Sequence, residues 1–345
     1  MNRQDFLELL LGIAGGLGIP GAVAGIAYAQ ERGQEAPITL DDAYLVQGLT
    51  GMARAKGWFD AHWGAGILAG YYLCRDNALG KATTAAIQRQ MDTVLRSRGS
   101  PFVPFPEQPA EHALIDEVPK ALLSAMEGGL RAHGHAVIFA SLSTRALRDV
   151  PQMAQPTIIQ GLCRLSQRIA KIPPERPLDP AFVYADAPAM IEALLDNLVR
   201  FQGLLGHPSV RRPNYTHMVT HTEALWNLEA MGYTGMAKLG HAGLHTQFRV
   251  PVPVVEPRAA SVGTTAGLGV VMDERFWNDK VNQERWRRRG NIADNPNGDW
   301  IAAGHLFKVL YSYHRLIARV QDEEKVRLCS AILLERYLHP EVQGG

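Results

Sequence analysis

Apolar positions recur along this chain at spacings of three and four residues, which places them on single faces of α-helices. The pattern predicts helices over residues 58–74, 113–131, 135–148, 156–171, 187–205, 215–231, 234–247, 299–320 and 322–338. Turn chemistry separates them at Ser100-Pro101, Ile172-Pro173-Pro174, His207-Pro208, Gly232 and Asn295-Pro296. Asp186 and Asp322 stand where N-caps belong. Residues 248–272 break the pattern: Phe248 to Val255 reads as extended, and Gly/Thr-rich loop sequence follows to Gly269. The expectation is an all-α fold, either an irregular helical bundle or an α/α toroid-like array of antiparallel helix pairs. One extended or loop insertion is expected near residues 248–298, and such insertions often act as lids or binding loops.

Residues 1–29 read as a targeting segment ahead of a single all-helical catalytic domain over 30–345. A polar start with Arg3 leads through Phe6-Leu7-Glu8-Leu9-Leu10-Leu11 into a Gly/Ala/Ile/Leu run. That run ends at Ala27-Tyr28-Ala29, which suits cleavage after Ala29. The opening Asn2-Arg3-Gln4-Asp5-Phe6-Leu7 resembles a twin-arginine signal, with Gln4 in place of the second arginine. Export to the periplasm by a twin-arginine-like or Sec route is expected, or else retention as an N-terminal anchor, the chain's sole expected membrane contact. Gly16, Gly18 and Gly21 satisfy GxGxxG, but Pro20 occupies the start of the would-be helix and no βαβ alternation follows. A dinucleotide fingerprint needs both.

The composition narrows the classes further. With 345 residues, 46% of them hydrophobic, the chain has material for a substantial core. Its net charge of +1, with no strongly basic half, argues against nucleic-acid binding. The run Arg285-Trp286-Arg287-Arg288-Arg289 reads as a solvated helix end. Cys74, Cys163 and Cys329 are far apart and show no CxxC spacing, which argues against a disulfide scaffold or a thiolate zinc site.

Histidines carry the candidate chemistry. His217 with His221, and His241 with His245, stand four apart, where random placement predicts about 0.4 such pairs. Residues at that spacing share a helix face, so their imidazoles can share one metal ion or ligand. His62, His135 and His305 each open an apolar helix beside small residues, which suggests a common layer. The expected site has His217 and His221 as acid/base or metal-binding pair, completed by His62, His135 and His305. Lys308, one turn after His305, is placed to stabilise an anion. Trp58, Trp63, Tyr71, Tyr72, Trp226, Tyr311 and Tyr313 are candidate walls around a small hydrophobic or aromatic substrate. His112, His207 and His339 border loops and read as solvated, while His241, His245 and His314 read as structural. HExxH fails because Met218 stands at the glutamate position, and Glu-x-x-His, GxSxG and GxxxxGK[ST] are missing. Zincin, ferritin-type, α/β-hydrolase and P-loop chemistry therefore lack support.

Four stretches line up as an ordered series: Ala61 to Ala69, Gly134-His135-Ala136-Val137 through Arg145-Ala146-Leu147, His217 to Leu225, and His305 to Tyr311. Over most of residues 58–320 this order resembles that of the questin oxidase-like proteins. That family is all-helical and is named for a fungal enzyme that oxidatively opens an anthraquinone ring. The chain departs from its third motif by inserting Thr222-Glu223 between His221 and Ala224. The resemblance implies an oxygenase of Baeyer–Villiger type acting on an aromatic or polycyclic ketone or quinone, with NADPH as donor. A reduced nicotinamide pool is cytosolic, so an exported protein needs another donor. A metal ion at His217 and His221 is the other cofactor expectation. Two further classes stay open: an exported haem-, metal- or small-molecule-binding protein without turnover, and a metal-dependent hydrolase or lyase.

Overall fold

The computed structural model describes residues 39–77, 79–175, 182–202, 215–249, 271–287 and 304–338, and among these the regular structure is helical with no strand. The helices are α1 (Ala43–Ala53), α2 (Ala61–Asp76), α3 (Lys81–Arg98), α4 (His135–Asp149), α5 (Pro156–Ala170) and α6 (Ala187–Phe201). They continue as α7 (Tyr215–Ala230), α8 (Thr234–Phe248), α9 (Glu274–Asn278), α10 (Lys280–Arg287), α11 (His305–Ile317) and α12 (Glu323–Ile332). The targeting segment expected over 1–29 lies outside the described residues, as do 250–270 and 288–303 of the expected insertion. No described helix is long and apolar enough to cross a membrane.

Periodicity located most helices within a few residues and failed in four places, one of them α1 (Ala43–Ala53), where no helix was expected. The helix expected over 113–131 is broken into single turns, His112–Asp116, Glu117–Lys120 and Leu123–Met126. Pro119 cannot donate to the turn before it, and Gly128 and Gly129 take positive φ of 71° and 151°. Within the expected insertion, residues 271–287 fold as α9 and α10, with the Asp273 carboxylate accepting from the Arg275 N–H. Helix α3 was not predicted because its buried face includes Thr83, Thr84 and Gln90, which weaken the apolar signal.

Four helices surround the interior. Helix α2 packs against α4 and α11, and α7 packs against the same two, closing a ring. Each brings a histidine in its first turn: His62, His135, His217 and His305. Ten residues later each brings a second polar side chain: Tyr72, Arg145, Asn227 and Arg315. Ten residues of α-helix rise about 15 Å. The first set meets across the ring, and so does the second, so the four helices run in one direction and in register. Short turns after α1, α4 and α7 pair these helices with α2, α5 and α8, giving the antiparallel neighbours that return the chain.

Helix α11 can approach α2 this closely because glycines meet at the crossing. A Cβ built on Gly66 would lie 2.6 Å from the Gly304 Cα, and Gly304 has a left-handed φ of +67°. Alanine at Gly304 is therefore expected to cost about 2–4 kcal/mol, the left-handed penalty plus overpacking. Gly232 has φ +93° but open space around it, so Gly232→Ala should show the conformational penalty alone. Urea unfolding of the two variants compares them, and equal losses would contradict the close crossing.

Candidate functional site

Two of the four histidines follow left-handed glycines that start their helices: Gly134 (φ +84°) before His135 and Gly304 before His305. Ala132 and His133 also have positive φ, 44° and 53°. Such backbone costs on the order of 1 kcal/mol per residue and is tolerated where the surroundings fix it, often at functional sites.

Local hydrogen bonds set the ring protons. Nδ1 of His62 lies 2.7 Å from the Phe59 carbonyl, and Nδ1 of His135 bonds the Ala132 carbonyl. A carbonyl only accepts, so both Nδ1 atoms carry protons and both Nε2 atoms present lone pairs. Those two Nε2 atoms are 2.7 Å apart, and His217 Nε2 is 3.1 Å from His135 Nε2. The facing lone pairs of His62 and His135 at 2.7 Å need a shared proton or cation. Burial, followed by the nearby Lys308 charge, holds His62 and His135 well below the usual imidazole range. His217 and His305 are depressed too, with burial again the leading cause. The positive ends of four helix dipoles also point into this layer and disfavour imidazolium. His62, His217 and His305 offer ligand nitrogens all within 4.8 Å of one another, a span three ligands of one ion can occupy. His135 stands against two of them.

Lys308 is 3% exposed, and burial lowers its ammonium to about 7. Its Nζ lies 5.8 Å from the Phe139 ring centre. Trp58 approaches His135 at 4.9 Å between ring centres, and Phe59 approaches His62 at 4.5 Å. Phe59 remains 39% exposed, so aromatic surface runs outward from the layer.

A scan against protein-family models finds no match, and no curated protein or solved structure matches the chain.

The structure brings His62, His135, His217, His305 and Lys308 into one interior and leaves His221 elsewhere. Four residues on a helix advance one turn plus about 40° of rotation, so the layer at the helix start engages His217 alone. His221 instead faces Gln247, with Nδ1 3.0 Å from its Oε1. Of the seven candidate wall aromatics, Trp58 is the one that touches the imidazoles. Trp63 lies beneath Arg98, Tyr71 donates to Asp42, Tyr313 meets Ser330, and Trp226 lies beneath Arg315 and Arg319. His241 Nδ1 accepts from the Tyr184 N–H at 3.1 Å, and His245 stacks on Phe182. His112 is exposed and His314 is half-buried, while His207 and His339 lie outside the described residues. Of the arginine run, residues 285–287 end α10 and the rest lies outside the described residues.

Tyr72 and Tyr311 belong instead to a second polar layer that sequence reasoning missed. Tyr311 donates to Glu223 Oε1 at 3.0 Å and accepts from Arg145 at 2.8 Å and Arg315 at 2.6 Å. Arg315 also pairs with Glu223 and donates to Asn227 Oδ1 at 3.0 Å. Arg145 pairs with Asp76 at 2.9 Å and lies 4.0 Å above the Tyr72 ring. Burial pushes the Glu223 carboxyl up, against the pull of Arg315 and Arg145. The available signal was Glu223 itself, a carboxylate one turn before Asn227 on the same helix.

Neutral buried imidazoles give a pH dependence with a definite sign. Burial lowers His221 to about 4, while an unfolded histidine titrates near 6.5. Between those values the unfolded state binds the extra proton, so stability falls as pH drops below about 6.5. His221 alone should cost on the order of 3 kcal/mol by pH 4, and the depressed layer histidines act in the same direction. Urea midpoints measured with chelator from pH 7.5 to 5 should fall steadily. A flat profile would contradict the burial of these rings.

Proposed function

We propose that this chain is a metal-dependent oxidoreductase, an oxygenase acting on a planar aromatic or polycyclic ketone or quinone. The observation that carries this reading is the convergence of the His62, His217 and His305 nitrogens within 4.8 Å in a buried layer. These three would hold a divalent transition-metal ion, with His135 alongside. The chemistry supplied there, if these neutral ligands held such an ion, would be polarisation of a carbonyl oxygen and redox change. The protein's own groups divide the remaining work. Lys308, lowered to about 7, has both forms available near neutrality: its ammonium stabilises a developing oxyanion, and its amine takes a proton. Phe59 O and Ala132 O hold the proton-bearing sides of His62 and His135, so those rings keep their orientation. Trp58 and Phe59 offer flat apolar surface to a planar substrate.

The overall conversion is a ketone plus dioxygen, two electrons and two protons giving an ester and water. Family resemblance implies NADPH as the electron source. If residues 1–29 direct export, the donor is not a cytosolic nicotinamide, and the mature protein should begin at Gln30 by N-terminal sequencing.

Metal content by mass spectrometry, with oxygen uptake over a panel of anthraquinones and cyclic ketones, tests the reading. One ion per chain and chelator-sensitive oxygen uptake are expected. Chelator-sensitive turnover that persists without oxygen would replace the oxygenase with a metal-dependent hydrolase or lyase. Bound metal with no turnover on any substrate would favour a binding protein, and absence of metal from active protein would remove the centre altogether.

A further inference from the structure

His62 and His217 enter the imidazole layer with unequal support. The Phe59 carbonyl lies 2.7 Å from Nδ1 of His62 and fixes that ring behind the nitrogen it presents. His217 turns its Nε2 to His135 at 3.1 Å, and its Nδ1 is buried without a hydrogen-bond partner among the described residues. Histidines that bind a metal almost always have their second nitrogen bonded, because that bond sets the direction of the ring. At His217 another ring stands in for it.

The imidazole of His133 lies against His217, with ring centres 5.3 Å apart and planes 22° from parallel. Aromatic pairs in such offset stacks are worth about 0.5–1.5 kcal/mol. The His133 side chain is 42% exposed and His217 is 7% exposed, so His133 covers a face of a buried ring. One carboxylate fixes His133 at two points. Glu175 Oε1 accepts from its backbone N–H at 2.6 Å, and Glu175 Oε2 lies 2.9 Å from its Nδ1. Gln247 Nε2 donates to the His133 carbonyl at 2.8 Å. These bonds hold His133 at φ +53°, a left-handed backbone that costs on the order of 1 kcal/mol when a Cβ is present. Such strain persists where the surroundings over-determine the residue, and it clusters at functional sites.

We propose that His133 is a positioning residue for His217: clamped by Glu175, it stacks on the His217 imidazole and keeps Nε2 aimed into the layer. The stack does at this ring what the Phe59 carbonyl does at His62. What His133 contributes is therefore its flat ring, and its nitrogens serve only to hold that ring in place. The consequence for metal binding rests on the metal centre proposed above; the order of the His217 ring does not.

The test compares the full chain with His133→Asn, His133→Gly, His133→Phe and Glu175→Ala. Asn and Gly both suit a positive φ and both remove the ring, so the comparison does not hang on one variant folding. Phe keeps a flat ring and the backbone N–H that Glu175 holds. The first readout needs no metal: 13C relaxation at Cε1 of His217 in histidine-labelled, chelator-treated protein, the signal being assigned by its loss in His217→Gln. The order of that ring should fall in His133→Asn, His133→Gly and Glu175→Ala, and recover in His133→Phe. The second readout is cobalt(II), by chelator competition and by its visible spectrum. Affinity should drop about 10-fold or more in the ring-free variants, the scale of a lost supporting contact, with a shifted spectrum, and both should recover in His133→Phe. Unaltered His217 order in the ring-free variants or in Glu175→Ala, or an equal loss in His133→Phe, would overturn the proposal. Cobalt bound by none of these chains would instead remove the metal centre, with the ring-order comparison still deciding the role of His133.

Discussion

Alanine at His217 is expected to empty the centre of metal and abolish turnover, whereas alanine at His221 leaves metal content unchanged. The two histidines sit one turn apart, yet only His217 brings a nitrogen within 4.8 Å of those of His62 and His305. Loss of a supporting hydrogen bond alone lowers metal affinity about 10–100-fold, and loss of a ligand should exceed that. The fold should survive, because α7 keeps the buried apolar residues Met218, Val219, Ala224, Leu225 and Leu228. Metal content per chain and helical circular dichroism check both statements. Equal metal loss in the two variants would restore the helix-face pair, and unfolding of His217→Ala would make it a core residue.

Breaking the second layer should have the largest effect on stability. In Arg315→Met the Glu223 carboxylate, 1% exposed, loses its paired guanidinium. Removing one partner of a buried pair costs about 3–5 kcal/mol, because the remaining charge stays desolvated. Tyr311 would still donate to Glu223 and Arg145 would still pair with Asp76, so the network is weakened rather than removed. The double variant Glu223→Gln/Arg315→Met should recover a large part of the loss by eliminating the stranded charge. Urea unfolding at pH 7 reads both. A loss under about 1 kcal/mol, the worth of a surface pair, would show that this layer is solvated.

Within the ring the two layers have different characters. At the helix starts the side chains are neutral imidazoles aimed at one another, which suits a cation between them. About 15 Å further along, opposite charges on the same helices neutralise one another through Asp76, Arg145, Glu223 and Arg315. The first layer brings imidazole nitrogens face to face, whereas in the second the charged groups pair with one another.

Particular residues show where reading the chain succeeded and failed. His62, His135 and His305 were recognised because each opens an apolar helix beside glycine or alanine, and a helix start is a local signal. His221 lies outside the layer because spacing along one helix reports a shared face, whereas a layer across several helices samples a single height. Tyr72 and Tyr311 read in the sequence as pocket walls, whereas their hydroxyls serve Asp149 and Glu223. The break at residues 117–129 was foreshadowed by Pro119, Gly128 and Gly129, whose effect the apolar periodicity outweighed.

The amino-acid order by itself determined the helical class, most helix positions and the histidines that stand at helix starts. These follow from bonds and periodicities within one helix. The tertiary structure alone decided that four helices run in one direction, that His217 joins the layer while His221 turns to Gln247, and that Glu223 finds Arg315. Apolar faces are chemically interchangeable, so a single helix does not specify its neighbour. That choice is made by the packing of all of them at once.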